Sequence, residues 1–248
     1  MIIDVDWPAP DNVRAFVSGR SGGLSSSPYD SLNLADHVGD DPQLVMANRT
    51  LLQQAMVNPV TMHWLSQVHG VDVVEAENTD KSSEADALVT ARQGAALAIL
   101  TADCLPVLFC DTRGSRIAAA HAGWRGLAAG ILENTFAAMQ TAPQQTLVWL
   151  GPAISVDHFE VGAEVRRAFL EAVGAARYSA TAQCFRPSNN KSEHYMADLY
   201  ALAKERLAHL GISKIYGGDF CTWQQSDTFY SYRRDGITGR MASVICRI

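Results

Sequence analysis

Three short segments of this 248-residue chain carry side chains that could act together. Thr101-Ala-Asp-Cys-Leu-Pro106 supplies Cys104, Ala120-His-Ala-Gly-Trp-Arg-Gly126 supplies His121, and Ser66-Gln-Val-His-Gly70 supplies His69. A thiolate and two imidazoles suit zinc, and three protein ligands with one position left over mark a catalytic zinc site. Copper accepts the same ligand types. The chemistry would be activation of water at neutral pH, since such a metal lowers the pKa of bound water to about 7. The same residues allow a metal-free alternative, with Cys104 as nucleophile and His121 as its base. No third orienting group is evident for that alternative, although Asp103 is adjacent to Cys104. The separations, 35 residues and then 17, match no local metal motif, so distant elements must bring the ligands together.

Those elements are legible in the hydrophobic pattern. Short apolar runs at 61–66, 71–76, 86–90, 97–101, 105–110 and 116–121 have the length and flanking turn residues of strands. The runs at 97–101 and 105–110 are apolar at nearly every position, as in strands buried on both faces. Cys104 and His121 sit at ends of such runs. A cysteine in that position is ordinarily a small buried hydrophobe, and Cys110, Cys184 and Cys246 read that way. His37, His63, His158, His194 and His209 read as surface or hydrogen-bonded histidines.

The first forty residues read as strands and turns. Residues 43–56 read as an amphipathic helix with Leu44, Leu51, Leu52 and Ala55 on one side, capped by Asp41 with Pro42 at its first position. Helices are expected at 126–139, 161–173 and 195–210, the last stopping at Gly211. Further strands are expected at 146–150, 213–217, 228–232 and 241–247. Strands and helices interleave without a strict βαβ period, and neither GxGxxG nor a P-loop is present. The expected fold is α+β, a mixed α/β sandwich of mixed β-sheets flanked by helices, formed by residues 1–248 as a single domain.

Composition narrows the function classes. The chain is 48% apolar and 19% charged with a net charge of −6, which suits a globular protein and leaves no basic block for nucleic acid. No apolar stretch is long enough to span a membrane, and the N-terminal residues do not resemble a signal peptide. Five scattered cysteines without CxxC spacing fit a cytoplasmic, reducing location. Free N–H groups where the chain turns through Gly123-Trp-Arg-Gly126 into a helix, with Arg125 beside them, would attract a phosphate or carboxylate. Arg20, and Arg233 with Arg234, are further anion candidates.

The segments closely resemble the bacterial YfiH-type, or laccase-domain, family. The resemblance runs through Ser18-Gly-Arg-Ser-Gly-Gly23, Ser31-Leu-Asn-Leu34, Gln67-Val-His-Gly70, Ala85-Asp-Ala87, Thr101-Ala-Asp-Cys-Leu-Pro-Val107 and Ala119-Ala-His-Ala-Gly-Trp-Arg-Gly126. It continues through Leu150-Gly-Pro-Ala-Ile154, Phe159-Glu-Val-Gly162, Cys221-Thr222, Ser231-Tyr-Arg-Arg-Asp235 and Thr238-Gly-Arg-Met-Ala-Ser243. It implies a zinc held by His69, Cys104 and His121, with copper as the other metal. It also implies phosphorolysis of adenosine, inosine and methylthioadenosine to free base and (methylthio)ribose 1-phosphate, together with adenosine deamination. Purine nucleosides and phosphate are then the partners, with neither nucleic acid nor membrane among them. Copper-linked polyphenol oxidation and peptidoglycan-precursor editing are other attributions within the family. Seven histidines without any HxH pair cannot furnish a multicopper cluster. The combined H-x-E and P-C-x-x-C pattern of nucleobase deaminases is absent too.

Overall fold

The computed structural model describes residues 2–56, 60–79 and 83–248. It begins with strands β1 (Ile2–Asp4) and β2 (Val13–Ser18). Helix α1 (Pro42–Gln54) starts as the sequence dictates: the Asp41 side chain accepts from the Gln43 N–H and Pro42 opens the first turn. Its buried face is Val45, Asn48 and Leu52. Leu51 and Ala55 are exposed instead. Asn48 displaces the expected apolar face because its amide ties down the loop before the helix, donating to the Ser31 and Asn33 carbonyls and to Ser25 Oγ.

The six apolar runs become β3 (Thr61–His63), β4 (Val73–Glu75), β5 (Ala87–Thr90), β6 (Ala95–Thr101), β7 (Leu105–Asp111) and β8 (Ile117–Ala122). The helix expected over 126–139 is two helices, α2 (Trp124–Ala129) and α3 (Ile131–Met139), broken at Gly130 with φ 107°. Glycine reaches that left-handed conformation without a Cβ penalty. Next come β9 (Thr146–Leu150), β10 (Glu160–Gly162) and α4 (Ala163–Glu171). Then follow α5 (Ala175–Gln183), β11 (Phe185–Pro187), β12 (His194–Ala197) and α6 (Leu199–His209). The chain closes with β13 (Lys214–Gly217), α7 (Tyr232–Asp235) and β14 (Met241–Arg247).

Two expected helices therefore start late, because their first residues pair as strands: β12 lies between β10 and β11, with Tyr195 opposite both Val161 and Pro187. Asp198 then caps α6 by accepting from the Ala201 N–H. The strand expected at 228–232 is a turn instead. Phe229 N–H bonds to the Gln225 carbonyl, and the Ser231 side chain caps α7.

A five-stranded sheet runs β1-β2-β14-β6-β3 and a six-stranded sheet β13-β9-β7-β8-β5-β4; β10-β12-β11 form a small third sheet. Strand alternation sorts the side chains into layers. Leu97, Ile99 and Ile245 of the first large sheet meet Leu108, Cys110, Ile117 and Ala119 of the second. Ala96, Ala98, Leu100 and Val244 face the other way, onto Leu34 and Leu52. Leu105, Val107, Phe109, Ala118 and Ala120 pack beneath Leu127, Ile131, Leu132 and Leu202 of the helices. Both faces of β6, β7 and β8 are thus covered, which is why these segments read as continuous apolar runs. The fold is the expected α/β sandwich with mixed sheets flanked by helices.

One buried cation holds the helical layer. Arg206 on α6 donates to Glu133 Oε1 on α3 at 2.6 Å and to the Ala128 carbonyl at the end of α2 at 2.6 Å. Arg206→Met removes both bonds and strands the acceptors. It is expected to cost about 3–5 kcal/mol, lowering the thermal midpoint by roughly 6–12 °C or more. A midpoint within a degree of the parent in a thermal melt overturns that expectation.

Candidate metal centre

Register places two of the candidate ligands. In the β7–β8 hairpin, Leu105 pairs with Ala122 and Pro106 with His121. Cys104, one residue before β7, therefore lies opposite Gly123, beside the end of β8. On the other side of β8, Ala87 of β5 pairs with Ala120, which sets Asp86 beside His121; the His121 N–H donates to the Asp86 carbonyl at 2.7 Å. His121 and Asp86 are both buried.

Asp86 organises the centre. Its carboxylate accepts backbone N–H groups from Val68, His69 and Gly70 at 3.2, 3.0 and 2.6 Å. The successive N–H groups wrap the carboxylate as a nest, and His69 takes φ 62° to make the turn. The same carboxylate lies 2.7 Å from His121 Nδ1. One buried acid thus fixes the loop that carries His69 and the ring of His121, leaving His121 Nε2 for the centre. Burial opposes the charge of Asp86, but the hydrogen bond and charge of His121 and the N–H groups of Gly70 and Val68 hold its pKa below the usual carboxylate value.

The three side chains converge. His69 Nε2 is 3.9 Å from Cys104 Sγ, and the ligand atoms of His69, Cys104 and His121 all lie within 4.8 Å of one another. Zinc bonds of about 2.0–2.3 Å in tetrahedral geometry separate ligand atoms by roughly 3.5 Å, so small side-chain shifts complete the set. Glycine keeps the space open: a Cβ on Gly123 would stand 2.8 Å from His69 Cδ2 and 3.2 Å from Cys104 Sγ. The donor types, their convergence and the carboxylate behind one histidine all fit a metal ion. Among the described residues, no other group of three His, Cys or acidic side chains converges in this way.

Electrostatics sets Cys104 apart from the other thiols. Burial disfavours its thiolate, yet the charge of His121 and hydrogen bonds from both histidines bring its pKa down to about 6. Burial likewise opposes a charged His121, but the Cys104 thiolate and Asp86 raise it to about 9. Cys110 and Cys184 are instead pushed up, mainly by burial, to about 12 and about 11, as expected of packing thiols.

Asp103 does not orient His121. Its carboxylate accepts from Thr222 Oγ1 at 2.6 Å and from the Arg233 N–H at 2.7 Å, and its carbonyl accepts from the Ile154 N–H. With φ 86°, Asp103 is the pivot that presents Cys104 while tying this turn to 222 and to α7.

The sequence-derived arginines are placed differently. Arg125 is exposed in the first turn of α2, its guanidinium 4.5 Å over the Trp124 ring. Arg233 is drawn to the centre by its backbone, while its guanidinium donates to the Glu160 carbonyl and lies over Phe159. Arg20 is engaged by Asp30 and the Ser226 carbonyl and covers Tyr230. Arg234 donates to the Thr222, Trp223 and Phe229 carbonyls and pairs with Asp235. Sequence reading overlooked Asp86 and Arg240. The signal for Asp86 was an acid between alanines at the start of an apolar run; that for Arg240 was an arginine after Gly239 at the start of the last strand.

A family model described as multi-copper polyphenol oxidoreductase laccase matches residues 14–248. Purine nucleoside phosphorylase PA4543 of Pseudomonas aeruginosa is 52% identical over 240 residues, covering 97% of this chain and 96% of that protein. Purine nucleoside phosphorylase YfiH of Escherichia coli is 49% identical over 245 residues, covering 98% of each. Among solved structures, Neisseria meningitidis protein NMB0706 superposes with a TM-score of 0.91 at 48% identity, covering 99% of this chain and 98% of that one. YlmD from Geobacillus stearothermophilus gives 0.87 at 30% identity, covering 97% and 93%. No helix among the described residues is long and apolar enough to cross a membrane. With near-complete coverage by both relatives and structures, this chain belongs to the YfiH-type, laccase-domain family.

Proposed function

We propose that residues 1–248 form one catalytic domain that cleaves purine nucleosides with phosphate, at a single metal held by His69, Cys104 and His121. The observation that carries this reading is the convergence of those three ligands on the Asp86-fixed turn; the names of close relatives supply the substrate class. Zinc is the proposed metal, and copper suits the same donors. When bound, the metal supplies a Lewis acid and a water activated at neutral pH.

The protein's own groups do the positioning. Asp86 holds the His121 ring through Nδ1 and the His69 turn through three N–H groups, so the ligands need little rearrangement. In phosphorolysis of adenosine, inosine or methylthioadenosine, a phosphate oxygen bonds to C1′ as the C1′–N9 bond breaks. The base leaves with that electron pair and takes up the proton of hydrogen phosphate. In adenosine deamination, water oxygen bonds to C6 and the amino group departs as ammonia. Val68, exposed beside His69, and Tyr232, exposed on the helix whose Arg233 N–H bonds Asp103, offer apolar contacts to a nucleoside. A cytoplasmic location belongs to the same proposal, supported by five free thiols.

One observation favours a second reading, a metal-free cysteine hydrolase. Asp86, His121 and Cys104 stand in the order of acid, base and nucleophile, and Asp86 is the orienting group the sequence did not reveal. Metal removal separates the two. Protein of measured metal content is incubated with adenosine, with and without phosphate, and the products are chromatographed. The expected products are adenine and ribose 1-phosphate with phosphate, and inosine without it. Stripping the metal is expected to abolish both reactions and zinc to restore them. Full activity in metal-stripped protein overturns the metal reading in favour of the cysteine one.

A further inference from the structure

The motif Thr238-Gly-Arg-Met-Ala-Ser243 has no role in the metal centre described above, yet the fold carries it there. Met241 of β14 pairs with Thr101 of β6, three residues before Cys104. Arg240 therefore leaves the sheet beside the turn that presents the thiolate. Its backbone N–H donates to Asn33 Oδ1 at 3.0 Å, and its Nη1 donates to the Thr238 and Gly239 carbonyls at 2.8 and 3.0 Å. The guanidinium lies 5.7 Å over the Tyr232 ring. Gly239 is required for this approach, since a Cβ there would meet the Tyr230 ring at 2.7 Å and Asn33 Cβ at 3.0 Å.

This cation differs from the other arginines near the centre. Arg20 pairs with Asp30 and Arg234 with Asp235; among the described residues Arg125, Arg233 and Arg240 have no carboxylate within ion-pair distance, and of these three Arg240 alone is half-buried, the other two being exposed. Among the described residues its guanidinium hydrogen-bonds through Nη1 alone, and to carbonyls rather than to an acid. Burial pulls the pKa of Arg240 below the ordinary arginine value, against the opposing pull of Cys104 and Asp103. A half-buried guanidinium without an acid in contact has lost hydration and formed no ion pair. A doubly charged phosphate offers two oxygens to its remaining N–H groups, the fork geometry in which Arg binds oxyanions best.

We propose that Arg240 holds the phosphate co-substrate beside the metal centre, with Asn33 fixing its backbone and the Thr238 and Gly239 carbonyls its guanidinium beside the Cys104 turn. This rests on the phosphorylase reading and names the group that binds its second substrate. Phosphate there lies on the Cys104 side of the centre.

The test titrates inorganic phosphate into metal-loaded protein by calorimetry, with and without free hypoxanthine, and measures the phosphate KM with inosine. Parent, Arg240→Met, Arg240→Lys and Arg125→Met are compared at equal metal content. Arg240→Met is expected to raise the phosphate Kd and KM at least about tenfold, the loss of one or two charge-assisted bonds, while the inosine KM stays within about twofold. Arg240→Lys is expected to fall between the two, and it carries the test if the Met variant loses its metal or its thermal midpoint. Parent-like phosphate binding in both Arg240 variants overturns the proposal, as does loss confined to Arg125→Met, or no phosphate binding by the parent. If the parent binds phosphate through Arg240 but releases no base from any nucleoside, the phosphorylase reading fails and the anion site stands.

Discussion

Cys104→Ala and His121→Ala are each expected to abolish phosphorolysis and deamination together, lowering turnover at least about a thousandfold, or roughly 4 kcal/mol of barrier. Both side chains belong to the proposed three-ligand set, whose atoms lie within 4.8 Å of one another. Two ligands hold a metal weakly, so bound zinc should fall well below one per chain, read by metal analysis after gel filtration. His121 faces a second loss, since without its ring the Asp86 carboxylate keeps only backbone donors. The informative comparison is between the two reactions. If Cys104→Ala loses phosphorolysis but deaminates adenosine at the parental rate, one shared centre cannot be the site of both.

Asp86→Asn is expected to weaken metal binding by about 10–100-fold and to destabilise the protein by about 1–3 kcal/mol, although Asp86 touches no metal. The carboxylate has four partners here: three backbone N–H groups and His121 Nδ1. The amide keeps one acceptor oxygen and adds an NH2 group, which cannot accept. In either orientation the NH2 group faces N–H donors of the His69 turn, and in one of them it faces the His121 ring as well. Chelator competition reads the metal affinity, and a denaturant titration of metal-stripped protein reads the stability separately. Parental metal affinity in Asp86→Asn would remove Asp86 from the centre's design and leave it a turn-forming residue only.

The fold was partly legible in the sequence, and the pattern of hits and misses has physical causes. β5 to β9 were readable because strands covered on both faces must be apolar throughout. The N-terminus of α1 was readable because Asp41 and Pro42 satisfy a local rule of helix starts. β12 was read as helix because its pairing with β10 and β11 is non-local, and nothing within 195–197 records it. The helix break at Gly130 was present as a glycine, but whether a glycine bends a helix or sits in one depends on what the next turn packs against. On α1, Asn48 took a core position from Leu51 because a loop needed its amide.

The site divides the same way. The types of its ligands are a property of the sequence: Cys104, His121 and His69 are the chemistry available at those strand ends and turns. Family resemblance joined them, and a hairpin register of Leu105 with Ala122 brings the first two to one end of the sheet. What only the tertiary structure decided is the support. Asp86 and Arg240 lie far from Cys104 in the chain, and each acts through contacts that no sequence spacing encodes. A carboxylate becomes an orienting group by what surrounds it, and an arginine becomes an anion site by the acids it lacks. Local rules fix which atoms can do chemistry; long-range pairing fixes which of them are buried, aimed and left without a partner.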